Sequence, residues 1–317
     1  MKLISYLYLF VATVIWSFAP SLVKLVLNDI DPIFFLFVRF GIVTLLCLPF
    51  IYKYLKNKSY SKYDWANIIL YSVTGQVVLI IFFIGLDLTT ATDSIIIGLI
   101  GPIITIGAGH YFFKEKINLM KRIGILIALI GAILVILEPL LSSTNGVAKN
   151  RFLGNLLISS NLVIGTFWVI YSKFLFGSNS VKFVSLMKNL GIKLQKKKYN
   201  EIEFNLFSFL IAFISTLPFY FLNFKNFNQS IADLSFSSLA VILYMAIFSS
   251  IFAYILYSKA QSKLEVSEVS ILSYISPIFS LPAAFLILGE FPSNYSIIGL
   301  FIIIFGIFLA EKFKKVK

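Results

Sequence analysis

The chain contains, at residues 91–113, the stretch ATDSIIIGLIGPIITIGAGHYFF, in which Asp93 and His110 are the only side chains that ionise near neutral pH or below. A helix needs about 20 predominantly apolar residues to cross the hydrocarbon core of a membrane, and this stretch is long enough. Pro102 lies in its middle, where a proline frees backbone carbonyl groups of the preceding turn. Residues 91–113 therefore predict a transmembrane helix with a possible hinge at Pro102.

Similar apolar runs lie on both sides of this stretch. We predict ten transmembrane segments: Ile4–Leu27, Pro32–Tyr52, Trp65–Leu86, Ala91–Phe113, Met120–Leu137, Leu153–Phe176, Phe204–Leu222, Phe236–Ala260, Val266–Leu288 and Tyr295–Phe313. The first is too long for a signal peptide and lacks a small-residue cleavage site. Hydrophobic residues make up 59% of the chain and charged residues 13%, whereas soluble domains have about 25% charged residues. The composition thus predicts an all-α integral membrane protein.

The basic residues predict the orientation of these segments. With the N-terminus inside and ten crossings, the inner segments hold 22 of the 27 Lys and Arg residues and the outer loops hold three, while Lys24 and Arg39 fall within helices. Positive residues are retained on the cytoplasmic side, so we expect a plasma-membrane protein with both termini in the cytoplasm. The net charge of +13 is spread between apolar segments rather than gathered on one face, which argues against a nucleic-acid partner.

Two connections stand out in this topology. Residues 142–152 form a predicted external linker, and residues 177–203 form a long basic cytoplasmic loop. Within the loop, apolar residues recur at helical spacing: Phe183, Leu186, Met187, Leu190 and Leu194. This pattern predicts an amphipathic helix that lies on anionic lipid of the inner leaflet. Because Gly191 interrupts the pattern, a solvated linker is the alternative.

The two halves of the chain repeat one another. At an offset of 175 residues Asp93 meets Glu268, Pro102 meets Pro277, Glu115 meets Glu290, Gly124 meets Gly299 and Gly131 meets Gly306. Earlier in each half, Leu48-Pro49-Phe50 recurs as Leu217-Pro218-Phe219, and we match Trp16 with Trp168. The repeats cover residues 1–141 and 153–317. Since five helices is an odd number, the second repeat enters the membrane in the opposite sense, and inverted-topology repeats are a transporter architecture.

The same residues resemble a known family. Trp16-Ser17-Phe18 with Lys24, Val38-Arg39-Phe40, and the repeated Pro, Glu and Gly pattern are similar to the drug/metabolite transporter superfamily, and within it to the ten-helix EamA-type permeases. The resemblance implies export or exchange of a small solute, often an amino acid or other metabolite, through a central cavity lined by both repeats. The long basic loop departs from the short linker that is usual in the family.

Candidate solute-binding residues lie at helical spacing on the faces of five segments. They combine small polar groups with aromatic rings: Trp16, Ser17, Gln76, Phe83, Asn161, Trp168, Tyr254, Tyr257, Ser270 and Tyr274. Such a mixture is typical of a pocket for a small amphiphilic ligand. The alternative is that the small residues mediate helix packing and the aromatic residues mark the membrane interface.

Charged residues and prolines inside the segments suggest further roles. Asp93 and Glu268 are candidates for proton coupling, and Pro102 and Pro277 for gating hinges. Arg39 within a helix is costly unless it is paired or faces water, so we expect a structural ion pair with Asp29, Asp31 or Asp93, with contact to the solute as the alternative. Lys24 is expected to be a structural charge near a helix end that extends to the interface.

Enzyme signatures are missing from the sequence. It has no metalloprotease helix motif, no Gly-rich phosphate loop and no nucleophile elbow, and with one His and one Cys we predict neither a metal site nor a cofactor. We therefore predict a secondary transporter of a small organic metabolite, working by alternating access. A lipid flippase or membrane-embedded enzyme, and a receptor-like protein, are the alternatives.

Overall fold

The computed structural model describes residues 2–116, 118–142, 146–192, 197–221 and 234–312. This part of the chain is helical, with short connections and no strand. We number eleven helices in chain order: α1 Lys2–Leu27, α2 Pro32–Asn57, α3 Lys62–Leu88, α4 Ala91–Phe113, α5 Leu119–Ser142, α6 Gly146–Leu175, α7 Val181–Asn189, α8 Glu201–Phe221, α9 Phe236–Gln261, α10 Val266–Leu288 and α11 Asn294–Lys312.

Nine of these described helices are long and apolar enough to cross a membrane, and α11 contributes a shorter apolar helix. Large apolar side chains lie exposed on their outer faces, among them Leu45 (68% exposed), Leu126 (62%) and Phe301 (67%). Such surfaces are stable against lipid, and helices satisfy their own backbone hydrogen bonds there. The prediction of an all-α integral membrane protein is confirmed.

Polar residues at the helix starts explain where two of the helices begin. Asp31 precedes α2, and its carboxylate accepts hydrogen bonds from the backbone N–H groups of Ile33 and Phe34. Ser61 and Asp64 form a reciprocal capping box at the start of α3. These contacts satisfy N–H groups that a helix leaves without an internal partner.

Four helices are interrupted near their middles. α1 breaks after Ser17, α4 breaks at Leu99, and α10 passes through a short 3₁₀ segment, Ser273–Ile275. Each break lies within four residues before a proline (Pro20, Pro102 or Pro277), because a proline lacks the N–H and its ring clashes with the carbonyl four residues earlier. The fourth interruption is a π-helix in α9, Met245–Phe252, and π-helical turns occur frequently at functional sites.

The glycines of the repeat pattern join α5 to α11. A Cβ added to Gly124 would lie 2.3 Å from the carbonyl oxygen of Gly306, and one added to Gly131 would lie 2.7 Å from that of Gly299. Only glycine permits so close an approach of two backbones. Gly124 is the repeat partner of Gly299, and Gly131 that of Gly306, so the two contacts are exchanged by a twofold rotation. The helices that form them are antiparallel.

The helices α2 and α8 meet across the same twofold axis. The rings of Phe40 and Phe209 stack with their centroids 6.4 Å apart. A spacing of 169 residues separates these two phenylalanines, and the same spacing separates Leu48-Pro49-Phe50 from Leu217-Pro218-Phe219. Phe40 and Phe209 are therefore equivalent residues in contact with each other.

The connections differ in detail from their predicted form. α6 begins at Gly146, so residues 146–152 of the predicted linker are helical, and residues 143–145 lie outside the described part. The basic loop contains α7, in which Phe183 and Met187 are buried against the bundle and Leu186 is exposed. Part of the loop, including Leu194, also lies outside the described residues, as do the last residues of the seventh and tenth predicted segments.

Candidate functional site

The interrupted helices surround a cavity of about 430 Å³ that both repeats line. Its volume lies within the range of small-molecule sites, about 300–1,000 Å³. Several predicted site residues are part of its lining: Trp16, Phe83, Asn161, Trp168, Tyr254 and Tyr257, together with Pro102, Pro277 and Arg39. Ser94 of α4 and Ser273, Ser276 and Ser280 of α10 also line it.

Aromatic rings form one wall of the cavity. Trp16 meets Tyr254 edge-on, with ring centroids 5.2 Å apart, and lies 5.1 Å from Tyr257. Trp168, which like Tyr257 belongs to the second repeat, stacks on Tyr257 with ring centroids 6.4 Å apart. The indole N–H of Trp16 donates to the carbonyl oxygen of Ser249, which holds this ring in place. The wall offers flat apolar surface to a ligand.

Four buried polar atoms of lining residues have no hydrogen-bond partner in the described part of the chain. They are Nη1 of Arg39, Oδ1 of Asn161, Nε1 of Trp168 and Oγ of Ser280. Buried polar groups are nearly always hydrogen-bonded, since leaving one unpaired costs about 1–3 kcal/mol. Two donors, one acceptor and one hydroxyl are therefore available to a solute.

Arg39 does not form the expected ion pair. Its side chain is 1% exposed, and its Nε donates to Oγ of Ser250 at 2.9 Å, while the ion pairs of the described residues do not include it. The carboxylates expected nearby are engaged elsewhere: Asp31 caps α2 and Asp93 binds Arg151. In the π-helix, Oγ of Ser250 also bonds the carbonyl oxygen of Met245, five residues earlier. The wide turn thus holds the acceptor that orients Arg39.

Four other predicted site residues lie outside the cavity lining. Ser17 is fully buried and donates to the carbonyl oxygen of Thr13. Ser270 donates to the carbonyl oxygen of Val266, and Tyr274 is half-buried beside the α5–α11 packing cluster. Gln76 is 4% exposed, and neither of its amide atoms has a hydrogen-bond partner among the residues that the structure describes. A solute in the present cavity would not touch them.

Two glutamates join the ends of α4 and α10. Each follows one of these helices and binds the first turn of the other. Glu115 follows α4, and its carboxylate accepts from the backbone N–H groups of Val266 and Ser267 at 2.9 and 3.0 Å. Glu290 follows α10 and accepts from those of Ala91 and Thr92 at 3.1 and 2.8 Å. A carboxylate is favoured there because the N-terminus of a helix carries partial positive charge. We call these contacts the Glu115 lock and the Glu290 lock.

The locks lie at opposite ends of the bundle. We call the end with Lys2 and Glu115 the basic end and the end with Asp87 and Glu290 the opposite end. The sequence pattern marked both glutamates as repeat partners but did not show that each caps the first turn of a helix in the other repeat. Both locks are closed in this structure.

Two lysines make a second symmetric pair of end contacts. Lys24 donates to the carbonyl oxygens of Leu86 and Asp87 at the end of α3, at 3.0 and 2.8 Å. Lys173, which is 8% exposed, donates to those of Gln261 and Leu264 at the end of α9. An ammonium group complements the negative C-terminal end of a helix. Lys173 is not among the predicted site residues, although its place near the end of α6 matches that of Lys24 in α1.

The coupling candidates Asp93 and Glu268 form ion pairs with basic side chains at the two ends of the bundle. Asp93 is 1% exposed and lies 2.8 Å from Arg151, which also pairs with Glu138. Glu268 lies 3.2 Å from Lys2 and accepts a hydrogen bond from Tyr6. Neither carboxylate lines the cavity.

These contacts correct one pairing between the repeats. Lys2 and Arg151 are 149 residues apart, and so are Lys24 and Lys173, and both members of each pair make equivalent contacts. That spacing matches Trp16 with Gly165. The match of Trp16 with Trp168 is therefore wrong, although both rings line the cavity.

Known proteins resemble the chain over nearly its whole length. An uncharacterized transporter of Archaeoglobus fulgidus is 26% identical over 310 residues, covering 96% of both chains. The uncharacterized transporter YoaV of Bacillus subtilis is 22% identical over 300 residues, covering 94% of this chain and 93% of its own. A protein known from its crystal structure has the same fold, with a TM-score of 0.63, 15% identity, and coverage of 98% of this chain and 99% of its own.

The sequence model of the EamA-like transporter family matches residues 3–137 and 163–311, one range in each repeat. These ranges hold both locks and most of the cavity lining. The chain therefore belongs to the EamA-like transporter family and is a membrane transporter rather than an enzyme.

Proposed function

We propose that this transporter moves a small organic metabolite of about amino-acid size by alternating access, with the cavity as its solute site. The observation that supports this most strongly is the symmetric pair of locks. The Glu115 lock and the Glu290 lock join the same two helices at opposite ends, and the cavity lies against both helices between them. Opening one lock while the other stays closed exposes the cavity to one side of the membrane.

The breaks in α4 and α10 supply the hinges for this motion. Each helix loses its regular hydrogen bonding near the cavity, before Pro102 and before Pro277. A change of backbone angles at these points moves one half of a helix while the other half stays packed. The half that carries the lock then swings, and the other end of the bundle keeps its contacts.

The lining suits a small amphiphilic solute. Trp168, Tyr254 and Tyr257 offer ring faces, while Asn161 and Ser280 present polar atoms that lack partners. A solute that fills these bonds contacts the second repeat, and Trp16 and Phe83 line the same cavity from the first repeat. Binding between the moving parts allows the solute to favour one state over the other.

Direction, membrane and coupling complete the proposal. The positive-inside pattern supports a plasma-membrane location with the basic end in the cytoplasm, and the family resemblance supports export or exchange. Proton coupling through Asp93 or Glu268 stays a prediction, and so does contact of the basic loop with anionic lipid. For Asp93, coupling requires its pair with Arg151 to break during the cycle.

Transport is tested with the purified protein in liposomes. Vesicles loaded with a metabolite mixture are diluted into each labelled metabolite in turn, and saturable counterflow is the expected result. A matched control carries cysteines at Thr92 and Glu290 in a Cys47→Ala background, so that a disulfide holds the Glu290 lock closed. Cross-linking should abolish counterflow, and reduction should restore it. Lipid scrambling without solute flux would instead support a flippase.

A further inference from the structure

We propose that the solute carries a negative charge, such as a carboxylate, that binds Arg39, and that the site prefers an organic anion to a zwitterionic amino acid. This inference rests on the proposed function and names its substrate class. Arg39 is the one charged side chain in the described lining of the cavity. A guanidinium group matches the geometry of a carboxylate, with two parallel N–H···O bonds.

The surroundings of Arg39 leave it ready for a ligand. Ser250 accepts the hydrogen bond of Nε and holds the head group of this lining residue, while Nη1 has no hydrogen-bond partner among the described residues. An arginine that is 1% exposed has lost most of its hydration, and an anion in the cavity restores favourable interactions to it. The guanidinium group also lies 5.2 Å from the centroid of the Phe40 ring. A ring carries no net negative charge, so Arg39 still lacks an anionic partner.

The twofold symmetry shows that the helix packing does not need this charge. Phe40 and Phe209 are equivalent and stack on each other, so the counterpart of Arg39 in the second repeat is Ser208, a partly buried serine. The second repeat builds the same helix crossing with a small neutral residue. Arg39 therefore breaks the symmetry at the point where the chain lines the cavity.

The lining formed by the described residues holds no acidic side chain to receive an ammonium group. The repeat-related acids Asp93, Glu268, Glu115 and Glu290 are engaged at the ends of the bundle. A zwitterion would lose the hydration of its ammonium group without gaining a counter-charge. The apolar part of an organic anion, by contrast, finds Val78, Leu79 and Phe83 in the same cavity.

Three solutes with the same branched carbon skeleton test the proposal. These are 4-methylpentanoate, its uncharged amide, and leucine, which adds an ammonium group to the acid. Binding to the wild-type protein in detergent micelles is measured by titration calorimetry near neutral pH. We expect the acid to bind at least about tenfold more tightly than the amide and leucine, because charge-assisted bonds are about twice as strong as neutral ones. Equal or tighter binding of leucine or the amide would overturn the inference, and so would no binding of the acid.

Arg39 is tested with two variants. Arg39→Lys keeps the charge but loses the planar pair of donors, and Arg39→Gln removes the charge. Acid binding should fall about tenfold in the first and further in the second, while the weak binding of the amide stays unchanged. Thermal melting checks that each variant is folded. If Arg39→Gln fails to fold, the comparison rests on Arg39→Lys, and unchanged acid binding in that folded variant would contradict the proposal.

Flux separates this inference from the proposed function. Because an undissociated acid crosses lipid unaided, liposome uptake uses the permanently charged analogue 3-methylbutane-1-sulfonate. Saturable uptake of the sulfonate supports both the proposed transport function and the preference for anions. Uptake of leucine without the sulfonate would keep the transporter function and overturn the preference for anions. Calorimetric binding of the acid with no counterflow of any solute would contradict the proposed function and leave the anion site standing.

Discussion

The buried side chain of Gln76 lowers the free energy of unfolding of the state that the structure shows. It is 4% exposed, and within the described ranges both of its amide atoms lack hydrogen-bond partners. We expect Gln76→Leu to raise the free energy of unfolding by about 1–3 kcal/mol, since it removes two unpaired polar atoms at similar volume. Denaturation of the purified protein measures this. The control is Asn67→Leu, because the amide of Asn67 bonds Tyr171 and Tyr199 and its loss should destabilise. A loss of stability in Gln76→Leu would show that the amide has partners.

Lys173 is a second residue with a local and measurable role. Its ammonium group is buried and bonds two carbonyl oxygens at the end of α9. We expect Lys173→Met to lower the free energy of unfolding by about 1.5–3 kcal/mol, and Lys24→Met by less because Lys24 is more exposed. Chemical unfolding in detergent compares both with the exposed control Lys53→Met. A larger loss at Lys24 than at Lys173 would contradict this ranking.

At the scale of helices, the two locks control opposite ends of the same cavity. A cysteine at Ser273, in a Cys47→Ala background, reports access to the lining. We expect Glu115→Gln to raise its labelling rate by a membrane-impermeant maleimide from the basic end, and Glu290→Gln to raise it from the opposite end. Loss of a charge-assisted contact worth about 1.4 kcal/mol changes the open population about tenfold. If both variants opened the same end, the locks would not be the gates.

The crossing of α5 and α11 depends on Gly124, and a substitution at the uncrowded Gly107 serves as the matched control. A Cβ on Gly124 would lie 2.3 Å from a backbone oxygen, whereas one on Gly107 meets nothing within 4 Å. Gly124→Ala should therefore force the two helices apart and lower the melting temperature. Gly107→Ala should leave it unchanged or raise it, since alanine favours a helix over glycine by about 1 kcal/mol. Equal effects at the two positions would mean that the crossing tolerates separation.

At the scale of the whole molecule, the charge asymmetry predicts the orientation in the membrane. Ser185 of α7 and Lys149 of α6 are both exposed and lie towards opposite ends of the bundle. Single cysteines at these positions, in a Cys47→Ala background, should label from the cytoplasmic side at 185 and from the external side at 149. Intact cells and inverted vesicles distinguish the two sides. Labelling of the cysteine at 185 in intact cells would reverse the orientation.

The membrane class, the helical segments and the five-helix repeat follow from the sequence, because these depend on local composition and on spacing along one chain. Runs of apolar residues have no stable place in water, so their number and length follow from the sequence. The repeat partners Glu115 and Glu290, and Gly124 and Gly299, could be read in the same way. The breaks near Pro102 and Pro277 also follow from the chemistry of proline.

The tertiary structure alone decided which of these residues meet. Arg39 was expected beside a carboxylate, but the rotation of α2 directs it to Ser250 in the π-helix of α9. Trp16 was matched with Trp168, but the end contacts of α1 and α6 pair it with Gly165. Neither result could be read from the sequence, because such contacts depend on the crossing angle and rotation of helices far apart along the chain. Spacing within one helix shows which residues share a face, but not what that face touches.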